Sequence, residues 1–399
     1  MNKLEETISQ LSLKINTLLE RDKQLETERA LLTKELQTVK SKLSQIIDIL
    51  NIKKIDASDP HQPPSPSKPQ PQSLVKHIEL DKISKDDLFW SLSKLPDNRL
   101  AGGCKSGHIY IYNYNLQTKT YKRIVEHTNA HEQGVYCLNA ISQIKMLSSS
   151  LDTTIKLWDI KKPNEMKLLK LFTGHADDVY QVVYIQHNQA TQHLISCSFW
   201  EGELRLWNYN SPNDSKVIYK NKDVPPRALV NVKERNLLYV SCGNKDGKGH
   251  IDVYDSSVHS YAKKKTIDGV YTEWRYGLVE MSKDFVAVSQ EIPVKRICLI
   301  DVQKMEIVDT VMDNTFILDQ GAMCAVKENV AVFVRKGKFF QLAVTKSTEK
   351  DKKHKLVLEH QTTMSINDLR AGAGVAMLDN KHIVSNGVYT QLIIYKLNY

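Results

Sequence analysis

The sequence predicts an all-β domain of repeated units that follows one long helix. Two patterns in the chain of 399 residues support this prediction. Segments of strand, turn and strand recur beyond residue 76 at a spacing of about 46 residues. Before them, apolar residues recur at alternating steps of three and four, which is the spacing of a coiled-coil helix. We therefore expect a helix at 1–50, a linker at 51–75 and the β domain at 76–399.

The N-terminal helix is predicted to self-associate through one apolar seam. Its seam residues are Ile8, Leu11, Ile15, Leu18, Leu25, Leu32, Leu36, Val39, Leu43, Ile46 and Leu50. Neither glycine nor proline interrupts the heptads, and their mixture of isoleucine and leucine favours a parallel dimer. Asp22 and Arg29 also occupy seam positions, where each would meet its own copy in a homodimer. A different partner helix, a higher oligomer and a lone surface helix therefore remain alternatives.

A proline-rich segment at 56–72 separates the helix from the repeated units. Proline this dense excludes a helix and favours an extended, semi-rigid spacer. Phosphorylation of Ser65 or Ser67 and docking of the prolines into an aromatic groove are the alternatives to a plain spacer.

The repeated units each contain strands that the alternation of apolar and polar residues predicts. In the three regular units we expect strands at 88–95, 99–104 and 108–114, at 135–140, 145–150 and 154–160, and at 179–185, 193–198 and 203–207. Four further units are less regular, and we place their third strands at 250–254, 295–300, 338–343 and 391–397. The chain is thus predicted to contain seven units.

The second unit carries a motif that resembles a known repeat. Residues 146–159 comprise a small-residue strand, a turn at Asp152 and a strand that ends in Trp158 and Asp159. This pattern resembles the second half of a WD40 repeat, which recurs about every 40–45 residues as the blades of a β-propeller. The resemblance implies a seven-bladed propeller, whose last blade is completed by the segment at 76–80.

The resemblance also implies a structural hydrogen-bonded network and a face for partners. The network residues are expected to be His131, Ser150, Asp152 and Trp158 in the second unit and His175, Ser198 and Trp207 in the third. Propellers of this kind bind partners on the face built from the loops before first strands and the turns between second and third strands. On that face the candidates are Asp178, Phe199, Trp200, Arg227, Trp274, Arg275 and Tyr276. Packing of Trp274 or Tyr276 between blades is the alternative.

Composition narrows the remaining classes of function. The chain has no apolar run of about 18 residues and begins with acidic residues, so we expect a cytoplasmic protein, with cytoskeletal or nuclear locations as alternatives. Its six cysteines lie far apart without metal or redox spacing, and we predict no metal and no cofactor. The net charge of +9 is dispersed along the chain, which argues against nucleic acid and membrane partners.

Together these features predict a non-enzymatic, oligomeric scaffold that binds proteins or peptides. His131, Ser150 and Asp152 are residue types found in hydrolases, but the Trp-Asp context explains them as scaffold. A substrate receptor of a ubiquitin ligase is one alternative, although such receptors often carry arginine where this chain has Lys161. A transcriptional co-repressor of the Groucho type is the other.

Overall fold

The structure is a computed structural model in which part of the chain is described. The described residues are 37, 75–79, 83, 87–115, 120–187, 191–257, 260–272, 276–290, 294–312, 322–335, 338–347, 353–363, 375–379, 382–386 and 392–396. The chain separates into two units, Met1–Gln70 and Pro71–Tyr399, and every described residue except residue 37 belongs to the second. The predicted coiled-coil seam lies outside the described residues, as do Trp274 and Arg275.

The described part of the second unit forms seven four-stranded antiparallel sheets. The first three sheets contain β2 Phe89–Lys94, β3 Arg99–Cys104, β4 Ile109–Asn115 and β5 Thr120–His127; β6 Val135–Ser142, β7 Lys145–Ser150, β8 Ile155–Asp159 and β9 Lys167–Phe172; and β10 Gln181–Gln186, β11 Gln192–Ser198, β12 Glu203–Asn208 and β13 Ser215–Lys220. The next three contain β14 Pro226–Val232, β15 Leu237–Gly243, β16 Gly249–Asp255 and β17 Lys263–Asp268; β18 Leu278–Ser282, β19 Phe285–Gln290, β20 Arg296–Asp301 and β21 Glu306–Met312; and β22 Ala322–Lys327, β23 Val330–Arg335, β24 Lys338–Lys346 and β25 His354–Thr363. The seventh contains β26 Val375–Asp379, β27 His382–Asn386, β28 Leu392–Lys396 and, from the start of the unit, β1 Val75–Glu79.

The seventh sheet joins the two ends of this unit. Strand β1 pairs antiparallel with β28, so that Val75 lies opposite Lys396 and Glu79 lies opposite Ile393. The innermost strands of consecutive sheets contact each other in chain order, from β2 and β6 through to β22 and β26, and β26 in turn contacts β2. The sheets therefore follow one another in a closed circle. The pairing of β1 covers an edge of β28 that would otherwise present unpaired backbone groups.

Apolar side chains fill the spaces between neighbouring sheets. One cluster holds Leu95 of the first sheet against Trp158 of the second, and another holds Val384 of the seventh against Phe89 of the first. Because each sheet is covered on both faces, its middle strands are buried throughout, as β3, β15 and β19 are. Small or apolar residues therefore form continuous runs in these strands instead of alternating with polar ones.

The prediction of an all-β domain is confirmed by these sheets. The described helical segments in this unit are two short 3-10 turns, Pro96–Asn98 and Lys233–Arg235. Strand β10 begins two residues later than expected, at Gln181, because Val179 and Tyr180 donate their backbone N–H groups to the backbone oxygens of Ser150 and Cys197 before the regular pairing begins. In the described part of the chain, no helix has the length and apolar character needed to cross a membrane.

Candidate functional site

A buried hydrogen-bonded network connects one end of the second sheet to its third strand. His131 precedes β6, and its Nδ1 lies 2.8 Å from Oδ2 of Asp152 in the β7–β8 turn. Its Nε2 lies 2.6 Å from Oγ of Ser148, and this hydroxyl oxygen accepts the Trp158 indole N–H at 2.7 Å. Indole, hydroxyl, imidazole and carboxylate thus form one chain of hydrogen bonds.

The protonation of this network follows from its burial. Burial lowers the pKa of His131, although the hydrogen bond to Asp152 opposes that shift. Burial alone raises the pKa of Asp152, but hydrogen bonds from His131 and Thr154 outweigh it and hold the pKa well below its usual range. A neutral imidazole beside an ionised carboxylate fits every contact, since Nδ1–H donates to Asp152 while Nε2 accepts from Ser148.

The serine of the network is Ser148, and the sequence-based choice of Ser150 is corrected. The pairing of β7 with β8 places Met146 opposite Trp158 and Ser148 opposite Lys156, so the indole reaches Ser148 on the same face. Ser150 lies one pleat nearer the turn. There its hydroxyl donates to the backbone oxygen of Gln133 at 3.0 Å and accepts the Asp152 N–H at 3.0 Å.

The third sheet repeats the arrangement with one chemical change. Nε2 of His175 lies 2.7 Å from Oγ of Ser196, which accepts the Trp207 indole N–H at 2.7 Å. Ser196 therefore replaces the predicted Ser198, by the same shift of two residues. The carboxylate is now Glu201, whose Oε2 lies 2.8 Å from Nδ1 of His175.

The longer side chain of Glu201 explains why this turn departs from the simple aspartate turn of the second sheet. Burial raises the pKa of Glu201, but the hydrogen bond from His175 reverses that effect and the resulting pKa is about 2. Glu203, two residues later at the start of β12, is paired with Arg205 at 2.9 Å and with Lys220 at 2.7 Å. The carboxylates of Glu201 and Glu203 are therefore both bound by side chains of the same fold.

The networks hold the scaffold together and leave no room for hydrolytic chemistry at their serines. Ser148 and Ser196 are both completely buried, and each hydroxyl is engaged by an imidazole and an indole. A substrate cannot reach either oxygen without displacing these partners.

The same end of the third sheet presents an exposed aromatic side chain on a braced turn. Trp200 is 60% exposed and contacts the ring of Phe199 at a centroid distance of 4.7 Å. The guanidinium of Arg227 lies 3.9 Å from the centroid of the Phe199 ring and donates to the Gly243 backbone oxygen at 2.8 Å. We call the end of the sheets that carries this turn and the network histidines the turn face.

Asp178 supports this turn from beneath. Burial, together with the neighbouring Asp177, raises the pKa of Asp178 to about 6 against opposing hydrogen bonds from the Trp200 and Phe199 backbone and from Ser198. The side chain of Asp178 thus holds the backbone that carries the exposed indole. The turn keeps its shape through polar contacts below and a cation–π contact at its side.

The predicted partner residues therefore separate into three groups. Phe199 and Trp200 are accessible on the turn face, whereas Asp178 and Arg227 are buried and brace the turn. The prediction that Asp178 and Arg227 meet a partner directly is corrected, because their charges are used inside the fold. Tyr276 is half-buried, and Trp274 and Arg275 lie outside the described residues.

Sequence reasoning missed an aromatic band formed by Trp90, Tyr136 and Tyr180 on the turn face. The rings of Trp90 and Tyr136 stack at 5.1 Å with an interplanar angle of 9°, and Tyr136 meets Tyr180 edge-on at 5.1 Å. Trp90 and Tyr136 are the second residues of β2 and β6, and Tyr180 comes directly before β10, so the three rings lie at the start of the innermost strands of three consecutive sheets. An alignment of the repeated units on this position is the signal that would have found the band.

Comparisons with known proteins agree with the geometry. The family described as "WD domain, G-beta repeat" matches residues 122–159 and 166–208. The chain contains WD40 repeats. Each matched segment runs from the outermost strand of one sheet through the first three strands of the next. The second and third sheets, whose first three strands are matched in this way, carry the complete networks.

The overall fold is similar to a solved propeller. The crystal structure of the WD40 beta propeller domain of Doa1 superposes with a TM-score of 0.57 at 12% sequence identity, covering 82% of this chain and 98% of that chain. This similarity shows the fold alone.

Two curated relatives match a smaller part of the chain. U3 small nucleolar RNA-associated protein 15 from Saccharomyces cerevisiae is 27% identical over 166 residues, which is 41% of this chain and 30% of that protein. Restriction of telomere capping protein 1 from Scheffersomyces stipitis is 24% identical over 172 residues, which is 39% of this chain and 15% of that protein. The chain thus spans less than a third of either relative.

Proposed function

We propose that this protein is a non-enzymatic scaffold that binds a protein or peptide partner on the turn face of a seven-bladed WD40-like propeller. The observation that carries the proposal is the 60% exposure of Trp200 on a turn whose other residues are held by buried contacts. A large aromatic side chain in a preorganised position loses little freedom when a partner covers it. The accessible Phe199 ring extends the same apolar surface.

The experiment compares the partners captured by the wild type with those captured by Trp200→Ala. Proximity labelling or affinity capture from cells should recover at least one protein whose yield falls about tenfold or more with the variant, as expected for an interface anchor. Ile144→Ala is the matched control, because Ile144 is 41% exposed in the turn between β6 and β7, at the end of its sheet opposite the turn face. Equal recovery of all partners by the wild type and Trp200→Ala would reject the proposed face.

The second part of the proposal is self-association through residues 1–50, joined by the linker at 51–75 to the propeller at 76–399. The seam from Ile8 to Leu50 supports it, since an apolar stripe of about seven heptads is typical of a helix that packs against another helix. Two or more propellers in one particle would increase avidity for a partner with repeated binding sites. Deletion of residues 1–50 should give a monomer in light scattering, and an unchanged oligomer would contradict the assignment.

For location we propose the cytoplasm, with a cytoskeletal or nuclear site as alternatives. One curated relative is named for its association with a small nucleolar RNA, which favours the nucleus among these alternatives. Fluorescence imaging of the tagged full chain distinguishes them.

A further inference from the structure

The fourth sheet contains a buried cluster of three different metal-binding groups. Cys242 on β15 lies directly opposite His250 on β16, and Asp252 follows on the same face of β16 two residues later. The thiol, imidazole and carboxylate atoms all lie within 4.8 Å of one another. A glycine-rich hairpin turn separates Cys242 from His250 in the sequence, so the three residues do not form a compact sequence motif.

One carboxylate oxygen of Asp252 is anchored while the other faces the cluster. Oδ1 accepts a 2.6 Å hydrogen bond from Thr266. Oδ2 lies 3.3 Å from the Tyr254 hydroxyl, 3.4 Å from Nζ of Lys263 and 3.5 Å from Nε2 of His250. These three distances exceed the roughly 2.7–2.9 Å of a charge-assisted hydrogen bond, so Oδ2 is only loosely held by its neighbours.

The separation of the nitrogen and oxygen atoms matches that between two ligands of one tetrahedral ion. Bonds of about 2.1 Å from zinc to nitrogen and oxygen place those two ligand atoms about 3.4 Å apart. The distance from Nε2 of His250 to Oδ2 of Asp252 is 3.5 Å. Thr266 fixes the orientation of the carboxylate in the way that outer hydrogen-bond partners orient metal ligands.

A second cluster, of His175, Glu201 and Glu203, does not share these properties. His175 is bonded to Glu201 at 2.8 Å, and Glu203 pairs with Lys220 at 2.7 Å, so both carboxylates are already engaged at short distance. It also lacks a sulfur ligand. Of these two clusters, the one in the fourth sheet is therefore the better candidate for a metal site.

We propose that Cys242, His250 and Asp252 bind a divalent transition-metal ion, with zinc as the preferred ion. Sulfur, imidazole nitrogen and carboxylate oxygen are all established zinc ligands, and three protein ligands leave the fourth position for water. A thiolate and a carboxylate balance the two positive charges of the ion. The thiol proton leaves to solvent when the ion binds.

An ion has a route into this cluster from solvent. The side chain of His250 is 20% exposed, and that of Lys263 is 49% exposed although its ammonium lies beside Asp252. Because Lys263 is on the outermost strand, its flexible side chain can turn into water when a metal ion takes its place.

The test uses the purified full chain without a histidine tag, freed of metal with a chelator and titrated with cobalt(II) and then with zinc(II). One equivalent of cobalt should produce tetrahedral visible bands and a near-ultraviolet charge-transfer band that only a thiolate ligand gives. Zinc should abolish both. A wild-type titration that shows no thiolate band overturns the proposal without reference to any variant.

Variants then assign the ligands. His250→Gln, at the partly exposed ligand, and Cys242→Ser should each weaken zinc binding by at least about tenfold, and Cys242→Ser should also remove the charge-transfer band. Cys298→Ser is the matched control, because Cys298 is equally buried on β20 and its thiol accepts a hydrogen bond from the Thr310 hydroxyl at 3.6 Å. Loss of binding in the control, or unchanged binding in both ligand variants, would refute the assignment.

Discussion

Replacing Ser148 by alanine tests the hydrogen-bonded network of the second sheet most directly. The hydroxyl of Ser148 is completely buried and lies 2.6 Å from His131 Nε2 and 2.7 Å from Trp158 Nε1. Ser148→Ala leaves both of these buried groups without a partner, and each loss costs about 1–3 kcal/mol. We therefore expect the free energy of unfolding to fall by about 2–6 kcal/mol.

The adjacent residue provides the control. Ser149 is also completely buried, but its hydroxyl has no hydrogen-bond partner among the residues that the structure describes. Ser149→Ala removes a buried polar group that gains nothing from its surroundings, so the change should be neutral or should stabilise the protein by about 1 kcal/mol.

Urea unfolding of the full chain, followed by tryptophan fluorescence and by circular dichroism, measures both variants under one condition. Ser148→Ala should unfold at a clearly lower urea concentration than Ser149→Ala. If the two midpoints coincide, the network does not contribute to stability in the way its geometry indicates.

Three further predictions concern other parts of the fold. Because burial holds the pKa of His131 below its ordinary value of 6.5, the unfolded chain takes up a proton there first as the pH falls, and the contribution of His131 to stability should decrease. Between about pH 7.5 and about pH 5, urea midpoints of the wild type should therefore fall more steeply than those of His131→Asn. Gly134→Ala places a Cβ 2.2 Å from the Trp90 ring, so it should displace the aromatic band and shift tryptophan emission, whereas Gly269→Ala meets no atom within 4 Å and, although its φ of +73° adds backbone strain, should leave the emission unchanged. Removing residues 1–80 exposes the β28 edge that β1 covers, so this truncation should aggregate in size-exclusion chromatography while a chain that begins at residue 71 stays dispersed.

Local patterns in the sequence carried most of the information about the strands. The pattern of strand, turn and strand predicted strands at 145–150 and 203–207, and the structure has β7 at Lys145–Ser150 and β12 at Glu203–Asn208. The repeat pattern left one segment at 76–80 before the first unit and a last unit without its fourth strand, and β1 pairs with β28 of that last unit. Such features depend on a few neighbouring residues, which is why a single sequence reveals them.

The register between strands was beyond the reach of such patterns. Ser148 and Ser150 are the same residue type in the same strand, so strand propensity does not distinguish them. Only the pairing of Met146 with Trp158 shows that the indole reaches Ser148 and not Ser150. For the same reason, the sequence did not distinguish the exposed Trp200 from the buried Arg227 that braces its turn.

The sequence by itself determined the repeat, its all-β character and the residue types available to each blade. The tertiary structure decided which of those residues meet: Asp178 beneath the Trp200 turn, and Cys242 opposite His250 across a hairpin. The periodicity of the sequence indicates which face of a strand a side chain lies on. Which residues that side chain contacts depends on the strand that packs against this face, and the whole ring of sheets determines which strand that is.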